Sequence, residues 1–147
     1  MIREFQKSDA EAWCNIRKQN LLEVNSKNYP QEIITLLLCQ NKPENVLKKI
    51  KTRLMLVYEK EKKILGTISL TKDGEIKNLF VKPELQRKGI GKKLLKTIEK
   101  SFEGKIFLYA STTAQKFYEK NGYKKEHEEV DEINGKQYKV MFMTKQV

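Results

Sequence analysis

The stretch from Asn78 to Phe102 constrains the fold more than any other part of this chain. An apolar strand, Leu79-Phe80-Val81, enters a basic loop that opens directly onto an amphipathic helix. Ile90, Leu94, Leu95, Ile98 and Phe102 recur at helical spacing and form one apolar stripe. A strand feeding a helix in this way belongs to an α/β or α+β architecture. The junction is also an anion site built from backbone. The first helical turn has N–H groups without helical partners, and the helix dipole adds partial positive charge there. Gly89 and Gly91 let a phosphate approach the main chain, and Arg87, Lys88, Lys92 and Lys93 surround it with formal charge.

The spacing excludes two familiar phosphate loops. A Walker loop needs an upstream glycine and a Ser or Thr after its lysine, but Lys92 is followed by Lys93. A dinucleotide fingerprint needs a third glycine where Leu94 stands. What remains is the pattern Gln86-x-x-Gly89-x-Gly91 after a strand.

At 147 residues the chain is read as a single domain, 1–147. There is no membrane-spanning apolar run and no leader pattern, and Cys14 and Cys39 have no metal spacing. A cytoplasmic protein with reduced cysteines serving as core filler is the expectation. The formal charge of +11 admits a nucleic-acid or other polyanion partner, a lysine-rich solvated surface, or a local need at the phosphate loop.

Period-two patterns place strands at Ile2–Phe5, Arg53–Glu59, Ile64–Leu70, Glu75–Val81 and Ile106–Tyr109. Ser8 to Glu11 reads as a capping box for a helix that turns Ala12, Trp13 and Ile16 inward. Asn20 to Asn28 reads as a polar loop. Pro30 and Pro43 begin two further helices, the first holding the apolar segment Ile33–Cys39. Thr112 or Thr113 caps a helix that stops at Asn121-Gly122, and Asn134-Gly135 closes a final hairpin. The expected fold is α/β (α+β): a mixed, mostly antiparallel central sheet with helices on both faces.

A second motif lies about twenty-five residues beyond the glycine loop: Ala114, Phe117-Tyr118 and Gly122-Tyr123. Together with Gln86-x-x-Gly89-x-Gly91 it resembles the paired signatures of the GNAT superfamily of N-acetyltransferases, and the element order matches that fold over nearly the whole chain. The resemblance implies acetyl-CoA as donor and an amine, on a small molecule or a protein, as acceptor. It implies that Gln86, Arg87, Lys88, Gly89, Ile90, Gly91 and Lys92 hold the pyrophosphate. It places the pantetheine arm along Leu79, Phe80 and Val81, beside Ser111 and Ala114. Ser111 stands where many members carry Asn.

Under the same resemblance Tyr118 is the general acid for the departing thiolate, and Glu75 is a candidate general base acting through water. Glu75 reads equally as a solvated turn residue. Asn78 and Tyr109 are weaker candidates for the cleft. His127 is read as an exposed strand histidine, and no metal is expected. The acidic run Glu126, Glu128, Glu129, Asp131 and Glu132 is either a solvated face or a lure for a cationic amine. Two rival readings stand beside the enzyme: a basic nucleic-acid-binding protein, and a GNAT-fold acyl-CoA sensor without turnover. A homodimer is compatible with all of them.

Overall fold

A computed structural model describes residues 1–147. Its elements run β1 (Ile2–Glu4), α1 (Ala10–Glu23), α2 (Gln31–Gln40), α3 (Pro43–Leu47), β2 (Arg53–Lys60), β3 (Lys63–Thr71), β4 (Ile76–Val81), α4 (Ile90–Glu99), β5 (Lys105–Ala110), α5 (Gln115–Lys120), β6 (Lys124–Ile133) and β7 (Lys136–Gln146). The strands make two antiparallel sheets, β1-β2-β3-β4 and β5-β7-β6. One parallel bridge joins them, between Glu75 and Phe107, where the Phe107 N–H donates to the Gly74 carbonyl at 3.0 Å. Beyond that bridge β4 and β5 have no ladder between them. The expected central sheet is therefore split at its middle.

Helices cover both faces, as the alternation of apolar side chains requires. On one face α4 buries Leu94, Leu95 and Ile98 against Ile68, Ile106, Leu108 and Met143, all at most 1% exposed. Each such side chain contributes about 1.5–3 kcal/mol by leaving water. On the other face α1 and α3 set Trp13, Cys14, Ile16 and Val46 on Met55 and Val57. Phe5 meets the Trp13 ring edge-on at 5.2 Å, fixing the entry to α1.

Several local expectations change. Ser8 does not cap α1. Asp9 instead receives two bonds from the Arg3 guanidinium, at 2.8 and 3.0 Å, and one from the Gln6 N–H at 2.8 Å. A paired guanidinium outcompetes a local cap because charge-assisted bonds are the stronger kind. Helix α1 continues through Asn20 to Glu23, where a loop was expected. Asn20 is 4% exposed and its amide bonds the carbonyls of Ile16 and Val81, so tertiary contacts override its weak helix propensity. The turn before α5 is closed by Ser111, whose Oγ accepts the Ala114 N–H at 3.2 Å, and not by Thr112 or Thr113. Cys39 is exposed rather than core, while Cys14 is buried. No helix is long and apolar enough to cross a membrane.

Candidate active site

The split between the sheets begins at a deformation in β4. Asn78 sits at φ 59°, in the left-handed region that asparagine tolerates better than most residues. The β3–β4 register slips there. Two fully buried hydroxyls of β3 hold the bulge: Thr67 donates to the Asn78 carbonyl at 2.7 Å, and Ser69 bonds the Lys77 carbonyl and the Asn78 side-chain oxygen, both at 3.0 Å. A bulge bends and over-twists its strand, so β4 leaves the plane that β5 would need for pairing. Leu79, Phe80 and Val81 then run along a free edge. The Val81 carbonyl is already engaged, accepting from the Asn20 amide at 2.9 Å and the Gln86 amide at 3.4 Å. Leu79 shares that edge by the alternation of an antiparallel ladder.

The open end of the split is closed by the glycine loop. From Arg87 through Lys92 no backbone N–H donates to another group of the protein; the first engaged is that of Lys93, bonded to the Gly89 carbonyl at 3.0 Å. Gly89 is the N-terminal cap of α4 at φ 88°, and Arg87 is also left-handed at φ 66°. This alternation folds successive N–H groups into a concave nest that suits an anion. A Cβ on Gly89 would meet nothing within 4 Å, so glycine serves its backbone conformation. At Gly91 a Cβ would come within 3.3 Å of the Phe117 ring, so glycine serves close packing of α4 on α5.

The sequence-derived candidates divide clearly. Gln86 faces inward: its Nε2 donates to Asn20 Oδ1 at 2.9 Å and ties the loop to α1. Arg87, Lys88 and Lys92 are exposed around the free N–H groups, while Ile90 packs into the core. Ser111 and Ala114 form the turn across the split, and the Asn28 amide bonds Thr113 beside them at 2.6 Å.

Tyr118 is 8% exposed, with its ring edge-on to Phe117 and Tyr123. Its hydroxyl has no hydrogen-bond partner within the protein, yet it is not among the buried polar atoms sealed from solvent. Burial alone raises its pKa, which keeps the phenol protonated at neutral pH.

Glu75 precedes β4 at the bridge between the sheets. Burial raises its carboxyl above the ordinary range, against the pull of the Lys77 ammonium 3.7 Å away. Tyr109 is 42% exposed in an aromatic patch with Phe107 and Phe142. His127 is exposed on β6, stacked near Phe142 and bonded to Glu129 at 2.7 Å. No group of three His, Cys, Asp or Glu side chains gathers as a metal site.

The Thr67 and Ser69 clasp on Asn78 was not read from the sequence. Its only sequence signal is a pair of small hydroxyl residues on one strand face, too common to single out.

Residues 18–145 match the family described as an acetyltransferase (GNAT) domain. The chain belongs to the GNAT acetyltransferase family. No curated protein matches this GNAT chain in sequence. Among solved structures it is similar to a GCN5-related N-acetyltransferase of Rhodopseudomonas palustris, at TM-score 0.92 and 21% identity, over 100% of this chain and 95% of that one. It is also similar to the PaiA N-acetyltransferase of Thermoplasma acidophilum, solved with coenzyme A, at TM-score 0.81 and 24% identity, over 100% and 98% of the two chains. A ribosomal-protein-alanine N-acetyltransferase of Brucella melitensis aligns at TM-score 0.72 and 16% identity, over 100% and 99%. At these identities the likeness concerns the fold, and the acceptor has to be argued from this GNAT chain's own residues.

Proposed function

We propose that this GNAT protein transfers an acetyl group from acetyl-CoA to a primary amine by direct attack. The observation that carries the reading is the run of unpartnered N–H groups from Arg87 to Lys92, at the open end of a split whose β4 edge is also unpaired. A diphosphate fits the nest because it needs several converging donors and no side chain in the way. Exposed Arg87, Lys88 and Lys92 add charge, and the β4 edge at Leu79 to Val81 offers main-chain groups to the amides of the pantetheine arm. Ser111 and Ala114 bound the arm on the β5 side.

Acetyl-CoA supplies an activated thioester carbonyl. The N–H of Leu79, just past the bulge, is the donor assigned to the carbonyl oxygen as it gains negative charge. One such preorganised donor is worth about 3 kcal/mol of barrier. Glu75, made more basic by burial, takes the proton that the attacking ammonium must lose, through a water molecule. The C–N bond forms, the C–S bond breaks, and Tyr118 gives its proton to the departing sulfur. The acylated nitrogen sheds its remaining extra proton, which restores the Tyr118 phenol through solvent, and Glu75 releases the first proton to bulk water.

Thermal unfolding with and without acetyl-CoA tests the reading, beside an RNA control. A ligand at 100 times its Kd adds about 2.7 kcal/mol of apparent stability. A clear upward shift with acetyl-CoA and none with RNA is expected. No shift at saturating acetyl-CoA would overturn the assignment. Tyr118→Phe is expected to lower kcat by about 100-fold or more with acetyl-CoA affinity unchanged; an unchanged kcat removes Tyr118 from its role.

A further inference from the structure

The α1 side of the β1–β4 sheet holds a group of four cations that share a single carboxylate, Glu75. Arg17 comes from α1, Lys49 from the turn after α3, Arg53 from the first position of β2 and Lys77 from β4. Arg17, Lys49 and Arg53 are each partly buried, and none appears in an ion pair or a side-chain hydrogen bond. The Arg53 Nε is sealed from solvent with no acceptor. Burial lowers the pKa of Arg17 and of Arg53. Lys49 is pushed down to about 8, first by burial and then by Arg53, Arg17 and Lys77. Glu75 is the carboxylate that acts on Arg53, and it already faces Lys77.

The acidic run on β6 is the opposite case. Glu128 lies between Lys125 at 3.1 Å and Lys139 at 3.6 Å, and Glu129 bonds His127 at 2.7 Å. Asp131 accepts from the Tyr138 hydroxyl at 3.0 Å, and Glu126 from Thr144 at 2.7 Å. These carboxylates are engaged within their own hairpin, whereas the cations of the α1 side are not. Like charges drawn out of water without a counter-charge cost free energy. A ligand that brings the missing charge removes that cost.

The phosphates of acetyl-CoA are not that ligand. The glycine loop follows the Val81 end of β4, while Arg53 pairs across β3 to the Glu75 end. Six strand residues separate those ends by about 20 Å. The cations instead lie on the Glu75 side, where the acceptor's amine has to lose its proton.

We propose that Arg17, Lys49 and Arg53 receive an anionic group of the acceptor, so that the substrate is an amine that also carries a carboxylate or a phosphate ester. This rests on the acetyl-transfer reading above and narrows its substrate class. It sets aside a polyamine, which would bring further positive charge to a cluster already uncompensated.

The test uses matched acceptors with acetyl-CoA: phenylalanine against phenethylamine, alanine against ethylamine, and O-phosphoethanolamine against ethanolamine. The anionic member of at least one pair is expected to show a kcat/KM at least tenfold higher. Lys49→Met and, separately, Arg17→Gln are expected to collapse that preference by raising KM for the anionic member, with KM for acetyl-CoA unchanged. The carboxylate and phosphate arms show which anion is meant.

Binding is measured alongside. Phenylalanine or O-phosphoethanolamine is expected to raise the unfolding temperature of the wild type and not of Lys49→Met. Equal kcat/KM within every pair, or preference for the members that lack the carboxylate or phosphate, overturns the proposal, and so does the absence of any shift with both anionic probes. Failure of the acetyl-transfer reading shows separately, as no shift with acetyl-CoA.

Discussion

This GNAT protein offers two places for an anion, and they are made of different materials. The loop from Arg87 to Lys92 is backbone: adjacent N–H groups shaped by Gly89 and aimed by α4, with its lysines out in solvent. The group of Arg17, Lys49 and Arg53 is side chain: three cations from three elements, held partly out of water with no ion pair of their own, the one nearby carboxylate, Glu75, being paired with Lys77. A backbone site depends on the course of the main chain, so it should tolerate changes of exposed charge and resist added bulk. A side-chain site should do the reverse. It also stands as an unrelieved cost in the free protein, which the loop does not, because its N–H groups remain open to water.

The comparison breaks first at Gly91. Gly91→Val is expected to weaken acetyl-CoA binding about 100-fold, about 2.7 kcal/mol, because even a Cβ there comes within 3.3 Å of the Phe117 ring. Calorimetric titration reads the effect, and affinity within threefold of wild type would show that the course of the loop does not depend on the close packing of α4 on α5. Next comes the bulge. Thr67→Val leaves the Asn78 carbonyl without its 2.7 Å donor in a buried setting. A loss of about 1–3 kcal/mol in denaturant unfolding is expected, with a fall in kcat larger than any change in KM for acetyl-CoA. Unchanged kcat would mean that the clasp serves stability alone.

Smaller still, Lys49→Met is expected to raise the unfolding temperature by a few degrees at pH 7. Lys49 titrates at about 8 in the folded protein against 10.5 for the free side chain. The unfolded chain therefore holds more protons between those values, and wild-type stability gains as pH rises through that window. The advantage of Lys49→Met should be full below pH 8 and fade towards pH 10.5. An advantage that persists unchanged at pH 10.5 would show that the charge of Lys49 is not its cause. The smallest effect belongs to Lys88→Gln on the exposed rim of the loop. Acetyl-CoA affinity should fall by about threefold or less; a tenfold fall would make the loop a side-chain site after all.

What could be read from the sequence follows the same division. Gln86, Gly89 and Gly91 lie within six positions, and the Asn134-Gly135 turn within two, because local geometry sets what those residues must be. The apolar stripe of α4 was legible for the same reason, since period and burial are one fact on an amphipathic helix. Gln86 stands in the loop, but its inward bond to Asn20 is not legible in the sequence, because Asn20 stands 66 positions away in a stretch whose polar pattern reads as loop. Ser111 departs from the family pattern, and its capping bond from the Ala114 N–H exists only once the turn is formed. The acidic run on β6 stood out in a chain of net charge +11, yet at its centre Glu128 is held between Lys125 and Lys139 of the same hairpin.

By itself the sequence determined the strand–loop–helix junction, the order of the elements and the family, because short-range patterning and backbone preference are written between neighbours. Only the tertiary structure decided that the sheet divides at Asn78, that Thr67 and Ser69 hold it divided, and that Arg17, Lys49 and Arg53 gather without an ion pair of their own. Those are consequences of packing between segments far apart in the chain. Burial turns ordinary hydroxyls and cations into specific ones, and no residue carries its own burial in its letter.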